Sequence, residues 1–299
     1  MTKDGKQYCS PIGEDIYDSS GSCIAKVDLN KLIKSKTSLT NANLADLSSK
    51  DKIKLLQKEV KKRKLSNNSN QYCDIKKESC VINMLSPELY KKYFKPLMPL
   101  SWYNNPDKWL SNVDINNVLI QYENNLKNNF KLLDISPINY SDKINNFFSS
   151  QCVSDNLCSI NKDSLEKLQK QRKWKLSIIF NTDIYGNPGK HWICIFVNIN
   201  PNSKNYGIYY FDSNASFQSK YINEILNKLK TSTQELTGKD IRVYKNKIRV
   251  QKTTNTECGM FCLYMTINML KNKSFHKLIN SSLTDELAFK HREIFFNKL

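Results

Sequence analysis

The apolar positions of the chain change period along its length. In LADLSSKDKIKLLQKEVKKRKL (44–65), Ile53, Leu55, Leu56 and Val60 recur at helical spacing, with Ser48 or Ser49 placed to cap the helix. The polar stretch SNNSNQYCD (66–74) then reads as a loop. Residues 1–85 are therefore expected to form an accessory, mostly helical arm, and 86–299 a larger domain. Helical spacing continues in PELYKKYF (87–94) and, beyond the turn KPLMPLSW, from Asp107 to about Leu133, with Pro106 suited to the helix entrance. From Lys173 the pattern changes to short runs dense in Ile, Val, Phe, Tyr and Trp: WKLSIIFNT, HWICIFVNI and YGIYYFDS. These predict strands. DIYGNPGK lies between the first two, and its Gly186, Pro188 and Gly189 predict a hairpin. Helical period returns at YINEILNKLK (221–230), where Ile222, Ile225, Leu226 and Leu229 share a face. IRVYKNKIRVQ (241–251) predicts a strand, and CGMFCLYMTINML (258–270) an apolar helix. Strands and helices mixed in this order, without internal repeats, predict an α+β fold.

Composition narrows the class. A chain of 299 residues with 15 Tyr, 13 Phe and 4 Trp has the means to fill an interior, which argues against wholesale disorder. No apolar run approaches the roughly 18 residues of a membrane span, and MTKDGKQYCSPIGED lacks a signal-peptide core, so no membrane partner and a cytosolic origin are expected. Nine cysteines, an odd number without a CxxC pair, are expected to be reduced thiols. The spacings Cys73 to Cys80 and Cys152 to Cys158 resemble metal sites only loosely, and buried small hydrophobes are the better reading.

The formal net charge is +18, yet only five of the 46 basic residues are Arg. Lysine is a point charge, whereas arginine supplies the planar fork that suits bases and phosphates. Two readings therefore stand side by side: a solvated Lys-rich surface, and a basic surface that binds DNA non-specifically.

Candidate chemistry is concentrated in the C-terminal half. His191 follows the hairpin turn and opens a strand; Asp212 ends the strand after the next turn; Cys258 stands where the loop TNTE becomes a helix. A helix N-terminus favours a thiolate, an imidazole can take and return the proton, and a carboxylate on its far nitrogen fixes the tautomer. Gly259 permits close approach of a substrate backbone. Gln251, seven residues before the cysteine, could direct an amide N–H toward a developing oxyanion beside the Cys258 N–H. Taken singly, each residue has an ordinary reading: a buried thiol, a structural histidine, a turn-forming aspartate. His276 and His291 read as surface residues, and Cys262, one helical turn past Cys258, as core packing.

GKHWICIFVNI, YYFDSNA and QKTTNTECGMFCLYM resemble, in that order, the His, Asp and Gln…Cys-Gly motifs of the Ulp1/adenain superfamily of cysteine proteases, which includes SUMO-specific proteases and adenovirus protease. WLSNVDINNVL (109–119) resembles its entrance motif, so the likeness covers 105–299. Within the superfamily, KHW-x-x-IFV, TECG and TDELAFKHREIFF are similar to the polyprotein proteases of African swine fever virus and of mimivirus-like giant DNA viruses, although the former carry Asn where Asp212 stands.

The resemblance implies a mixed sheet flanked by helices, a nucleophile at a helix N-terminus, and a thiol endopeptidase with His191, Asp212 and Cys258 catalytic and Gln251 at the oxyanion. It also implies that Trp192 lines a narrow tunnel for Gly-Gly substrates. Expected substrates are viral precursor proteins cleaved during virion maturation, without metal or organic cofactor, in the virion and the viral factory of the host cytoplasm. A SUMO- or ubiquitin-like isopeptidase is the rival with the same chemistry, and a non-enzymatic basic virion DNA-binding protein the rival of another class.

Overall fold

The structure is a computed structural model that describes residues 5–62, 74–146, 149–216, 219–252, 255–280 and 283–298. The chain divides into two compact units, Met1–Pro99 with Glu293–Leu299, and Leu100–Arg292.

The first unit is helical: α1 (Pro11–Ser20), α2 (Lys26–Lys36), α3 (Asn41–Ala45), α4 (Ser49–Lys62), α5 (Glu78–Leu85) and α6 (Pro87–Tyr93). Ser48 caps α4, accepting from the Asp51 N–H at 3.2 Å. Leu29, Ile33, Leu56, Val81, Ile82 and Phe94 are buried together in one cluster. The unit runs past residue 85 because Tyr90, Tyr93 and Phe94 belong to that cluster. Beside it the Glu78 carboxylate accepts from the Ser22 hydroxyl and, at 3.4 Å, from the Cys23 N–H.

Three cysteines here and two in the second unit correct the expectation of reduced thiols. Cys9 is bonded to Cys23 and Cys152 to Cys158, and Cys80 is also disulfide-bonded. Cys73 lies outside the described residues. The approach of the paired Cα atoms overrides what spacing and compartment predict. Gly21, in the left-handed conformation at φ 67°, ends α1 and is followed by the turn that places the Cys23 Cα 5.4 Å from that of Cys9. Cys194, Cys258 and Cys262 are the free cysteines among the described residues.

The second unit is built on a five-stranded mixed sheet in the order β1-β4-β5-β6-β7: β1 (Phe130–Pro137), β4 (Lys175–Asn181), β5 (Trp192–Asn198), β6 (Gly207–Phe211) and β7 (Val243–Lys245). The outer pairs, β1 with β4 and β6 with β7, are parallel; the inner pairs are antiparallel. A separate hairpin joins β2 (Lys143–Asn146) to β3 (Ser149–Cys152). Strands β4, β5 and β6 are buried on both faces, which is why they read as continuous apolar runs rather than alternating ones.

Helices cover the sheet on both sides. α7 (Asn112–Asn124), α8 (Asp155–Cys158) and α9 (Lys162–Lys170) precede β4, and α10 (Lys220–Thr237) follows β6. Ile222, Ile225, Leu226 and Leu229 of α10 pack with Leu176, Ile178, Ile193 and Ile195 of the sheet. α11 (Cys258–Leu270) is buried along its length except at Tyr264 and packs against β4, β5 and α7. α12 (Phe275–Asn280) and α13 (Asp285–Phe295) close the chain.

Two sequence readings change. The helix expected from Asp107 begins at Asn112, because Ser111 and Asp114 form a capping box there. It ends at Asn124, and residues 130–137 are β1, whose few apolar positions fit either period. The strand expected over 241–251 stops at Lys245, because Asn246 turns away to grip Asp212.

Candidate active site

The elements of the second unit bring His191, Asp212 and Cys258 to one end of the sheet. His191 immediately precedes β5, where its carbonyl accepts from the Thr182 N–H at 2.8 Å and closes the β4–β5 hairpin. Asp212 follows β6 and is completely buried. Its Oδ1 accepts from His191 Nε2 at 2.7 Å. The Asn214 N–H donates to Oδ1 at 2.9 Å and the Ser216 N–H to Oδ2 at 3.0 Å. Those amides turn back on the carboxylate because Ala215 between them adopts φ 53°, a left-handed conformation uncommon for a residue with a Cβ.

Asn246, which sequence reasoning passed over, holds the backbone of the same residue. Its Oδ1 accepts from the Asp212 N–H at 3.0 Å and its Nδ2 donates to the Asp212 carbonyl at 2.6 Å. The carboxamide thus takes the place of a strand neighbour just where β7 ends. Asn in KNKI carries no sequence signal beyond that of a turn former.

Cys258 is the first residue of α11 and is buried at 2% exposure. Its thiol lies close enough to the His191 ring to act on that ring's charge. Burial pushes the imidazole pKa down, but Asp212 and Cys258 outweigh it, and the result is raised to about 9. A proton is therefore held on the ring through neutral pH. Cys262 is buried in the core beside Cys194, and loss of solvent lifts its thiol pKa well above the ordinary value, in keeping with a packing role.

Gly259, next to Cys258, leaves no room for a side chain. A Cβ there would meet Leu110 Cδ1 at 2.8 Å and Trp192 Cδ1 at 3.3 Å. The Trp192 indole N–H donates to the Leu110 carbonyl at 2.9 Å, so the ring is fastened across the start of α11. Gln251 is buried and reaches the site through Ser213: its Oε1 accepts from the Ser213 hydroxyl at 2.5 Å, and one of its amide hydrogens goes to the Asn255 carbonyl at 2.7 Å.

A second set of residues missed from the sequence secures the entry to α11. Glu257, 1% exposed, receives Arg292 of α13 in a forked ion pair at 2.6–3.0 Å. The guanidinium also donates to the Lys108 carbonyl at 2.9 Å and lies 4.2 Å from the Trp102 ring. The residue before the nucleophile candidate is therefore fixed by a buried pair that spans 35 positions of sequence. No local pattern signals a pair of that separation. His276 is exposed as expected, whereas His291 is half-buried, with Nδ1 2.6 Å from the Leu287 carbonyl and the ring edge-on to Tyr264.

Residues 156–299 match the model of the Ulp1 protease family, C-terminal catalytic domain. These residues are similar to a Ulp1-family catalytic domain. A protein of Acanthamoeba polyphaga mimivirus named as a thiol protease is 32% identical over 189 residues, 63% of this chain and 57% of the relative. A cysteine protease of African swine fever virus is 31% identical over 120 residues, 40% of this chain and 42% of the relative. The chain spans about half the length of these curated relatives. The crystal structure of the African swine fever virus protease is similar in fold, with a TM-score of 0.61 at 22% identity over 85% of this chain and 91% of that one. The α+β class, a mixed sheet flanked by helices, is the fold of that neighbour.

Proposed function

We propose that the protein is a viral cysteine endopeptidase that cleaves precursor proteins after Gly-Gly-type sequences during virion maturation, in the virion and the viral factory of the host cytoplasm. The observation that carries this reading is the 2.7 Å bond from His191 to Asp212, with Cys258 at the N-terminus of α11 near enough to raise the pKa of the same ring.

With Nε2 committed to Asp212, the other ring nitrogen serves the thiol. With the proton carried by His191, the Cys258 thiolate attacks the scissile carbonyl, forming the S–C bond as the carbonyl π electrons move to oxygen. The unpaired N–H groups of the first turn of α11 face developing negative charge there, and the second amide hydrogen of Gln251 is the remaining donor for the oxyanion. Collapse breaks the C–N bond, the imidazolium protonates the leaving amine, and water then releases the acyl group from sulfur. Trp192 and Leu110, drawn tight over Gly259, favour substrate residues without side chains at the scissile position, which supports the Gly-Gly assignment.

The test is intact-mass analysis after incubation with a Gly-Gly-vinyl sulfone. One adduct on Cys258 is expected, lost in Cys258→Ala together with cleavage of a Gly-Gly-X peptide. Turnover retained by that variant would falsify the reading. A second reading, an isopeptidase for SUMO-like modifiers, is favoured by African swine fever virus relatives at 30% identity that bear the name SUMO-1 cysteine protease. Labelling of Cys258 by SUMO-vinyl sulfone in preference to the short peptide probe would decide for it. The net charge of +18 supports non-specific DNA as an additional ligand, to be read as binding that weakens steeply with salt.

A further inference from the structure

The turn that carries Asp212 and the segment that carries Gln251 run side by side. The Val250 and Gln251 N–H groups both donate to the Ser213 carbonyl, at 2.9 and 3.1 Å, and the Ser213 hydroxyl donates to the Gln251 side chain. Arg249 adds a further tie. Its Nε donates to the Gln251 carbonyl at 2.7 Å and its Nη2 to Asn214 Oδ1 at 3.2 Å.

The second of these bonds sets which end of the Asn214 carboxamide faces the histidine. With Oδ1 turned to the guanidinium, Nδ2 stands 3.4 Å from His191 Nε2. Nε2 gives its hydrogen to Asp212, so the carboxamide packs against the ring without taking that hydrogen. Turned over, the same group would set an acceptor oxygen beside Nε2, in competition with Asp212 for the N–H. A donor fixed at Oδ1 prevents the turn.

The choice of residue fits this task. Only five of the 46 basic residues are Arg, and Arg249 is exposed, so burial does not explain its use. Nε and Nη2 lie on one edge of a planar fork and meet two acceptors from different segments at once; an ammonium offers a point charge without that fork.

We infer that Arg249 is a positioning residue for the reaction: its guanidinium orients the Asn214 carboxamide beside His191 and holds the backbone of Gln251, so the imidazole and the oxyanion donor keep a fixed relation. The inference rests on the protease reading above. Arg249 acts through Asn214 and Gln251 and does not itself touch the reacting atoms.

The test uses the full chain and a fluorogenic Gly-Gly peptide. Arg249→Lys and Arg249→Ala should each lower kcat about 10-fold or more with KM little changed, since the loss is one of alignment. The thermal midpoint should stay in place, because the side chain is exposed. Arg249→Lys keeps the charge and so separates the fork from the field. Added N-ethylguanidinium should restore part of the Arg249→Ala rate, and ethylammonium should not. Asn214→Ala combined with Arg249→Ala should cost less than the product of the two single losses, as expected where one residue acts through the other. Full activity in Arg249→Lys, equal rescue by ethylammonium, no rescue by either cation, or a change confined to KM would overturn the positioning role while the Cys258 adduct still upheld the protease reading. Absence of both adduct and cleavage in the unaltered chain would overturn that reading, and the positioning role with it.

Discussion

The two units are held together by different means. The first consists of short helices, two of them no longer than seven residues, and has disulfide-bonded cysteines at 9, 23 and 80. The second stacks helices on both faces of a sheet whose three central strands are buried but for Asn181, and its disulfide, Cys152–Cys158, joins β3 to α8 outside the main sheet. Short helices bury little surface for each residue ordered, and a cross-link compensates by limiting the unfolded chain. A large buried sheet supplies its own cohesion, and the free cysteines among the described residues lie on it or against it, Cys194 in β5 and Cys258 and Cys262 in α11. Among the described residues, disulfides and free thiols thus occupy separate parts of the fold.

The contrast can be broken from either side. The greatest effect is expected from Asp212→Ala, which removes the 2.7 Å bond to His191. Activity on a Gly-Gly peptide should drop on the order of 10⁴-fold, about 5.5 kcal/mol in the barrier. The pH profile sharpens the case. The His191 pKa is raised to about 9 from an ordinary 6.5, so the imidazolium persists up to that pH. Wild-type activity should fall on an alkaline limb near 9, and in the variant the limb should move toward 6.5. The linked stability has the matching sign: it is fully present below about 6.5 and is lost as pH rises through about 9. A limb that stays in place would show that the carboxylate is not what holds the proton on the ring.

Next in size is Arg292→Met, which leaves the Glu257 carboxylate buried without its partner. Destabilisation of about 3–5 kcal/mol is expected in denaturant melts. The Glu257→Gln/Arg292→Met double variant should recover part of that loss, and a double variant no better than the single one would place the cost elsewhere.

The smallest effect belongs to the first unit. Replacing Cys9 and Cys23 by Ser should cost at most ~3 kcal/mol, as expected for a 14-residue loop, while the rate of Cys258 alkylation stays the same. A large fall in that rate would dissolve the distinction between the units.

Much of the sheet was legible in the sequence because β4, β5 and β6 are dense in β-branched and aromatic residues and bounded by Gly, Pro and Asn. α10 and α11 were legible for the same local reason. β1 was not: in FKLLDISP the apolar residues fit either period, and only pairing with β4 decides between them. The candidate site divides in the same way. His191, Asp212 and Cys258 stand at ends of legible elements, whereas Asn246 and Arg292 act across 34 and 35 positions through contacts that only tertiary packing creates. The disulfides were hidden because cysteine spacing does not encode approach of Cα atoms.

The Glu257–Arg292 pair also makes the entrance of α11 depend on a helix near the C-terminal end of the sequence. A product that terminates ahead of residue 292 leaves one carboxylate stranded in the interior.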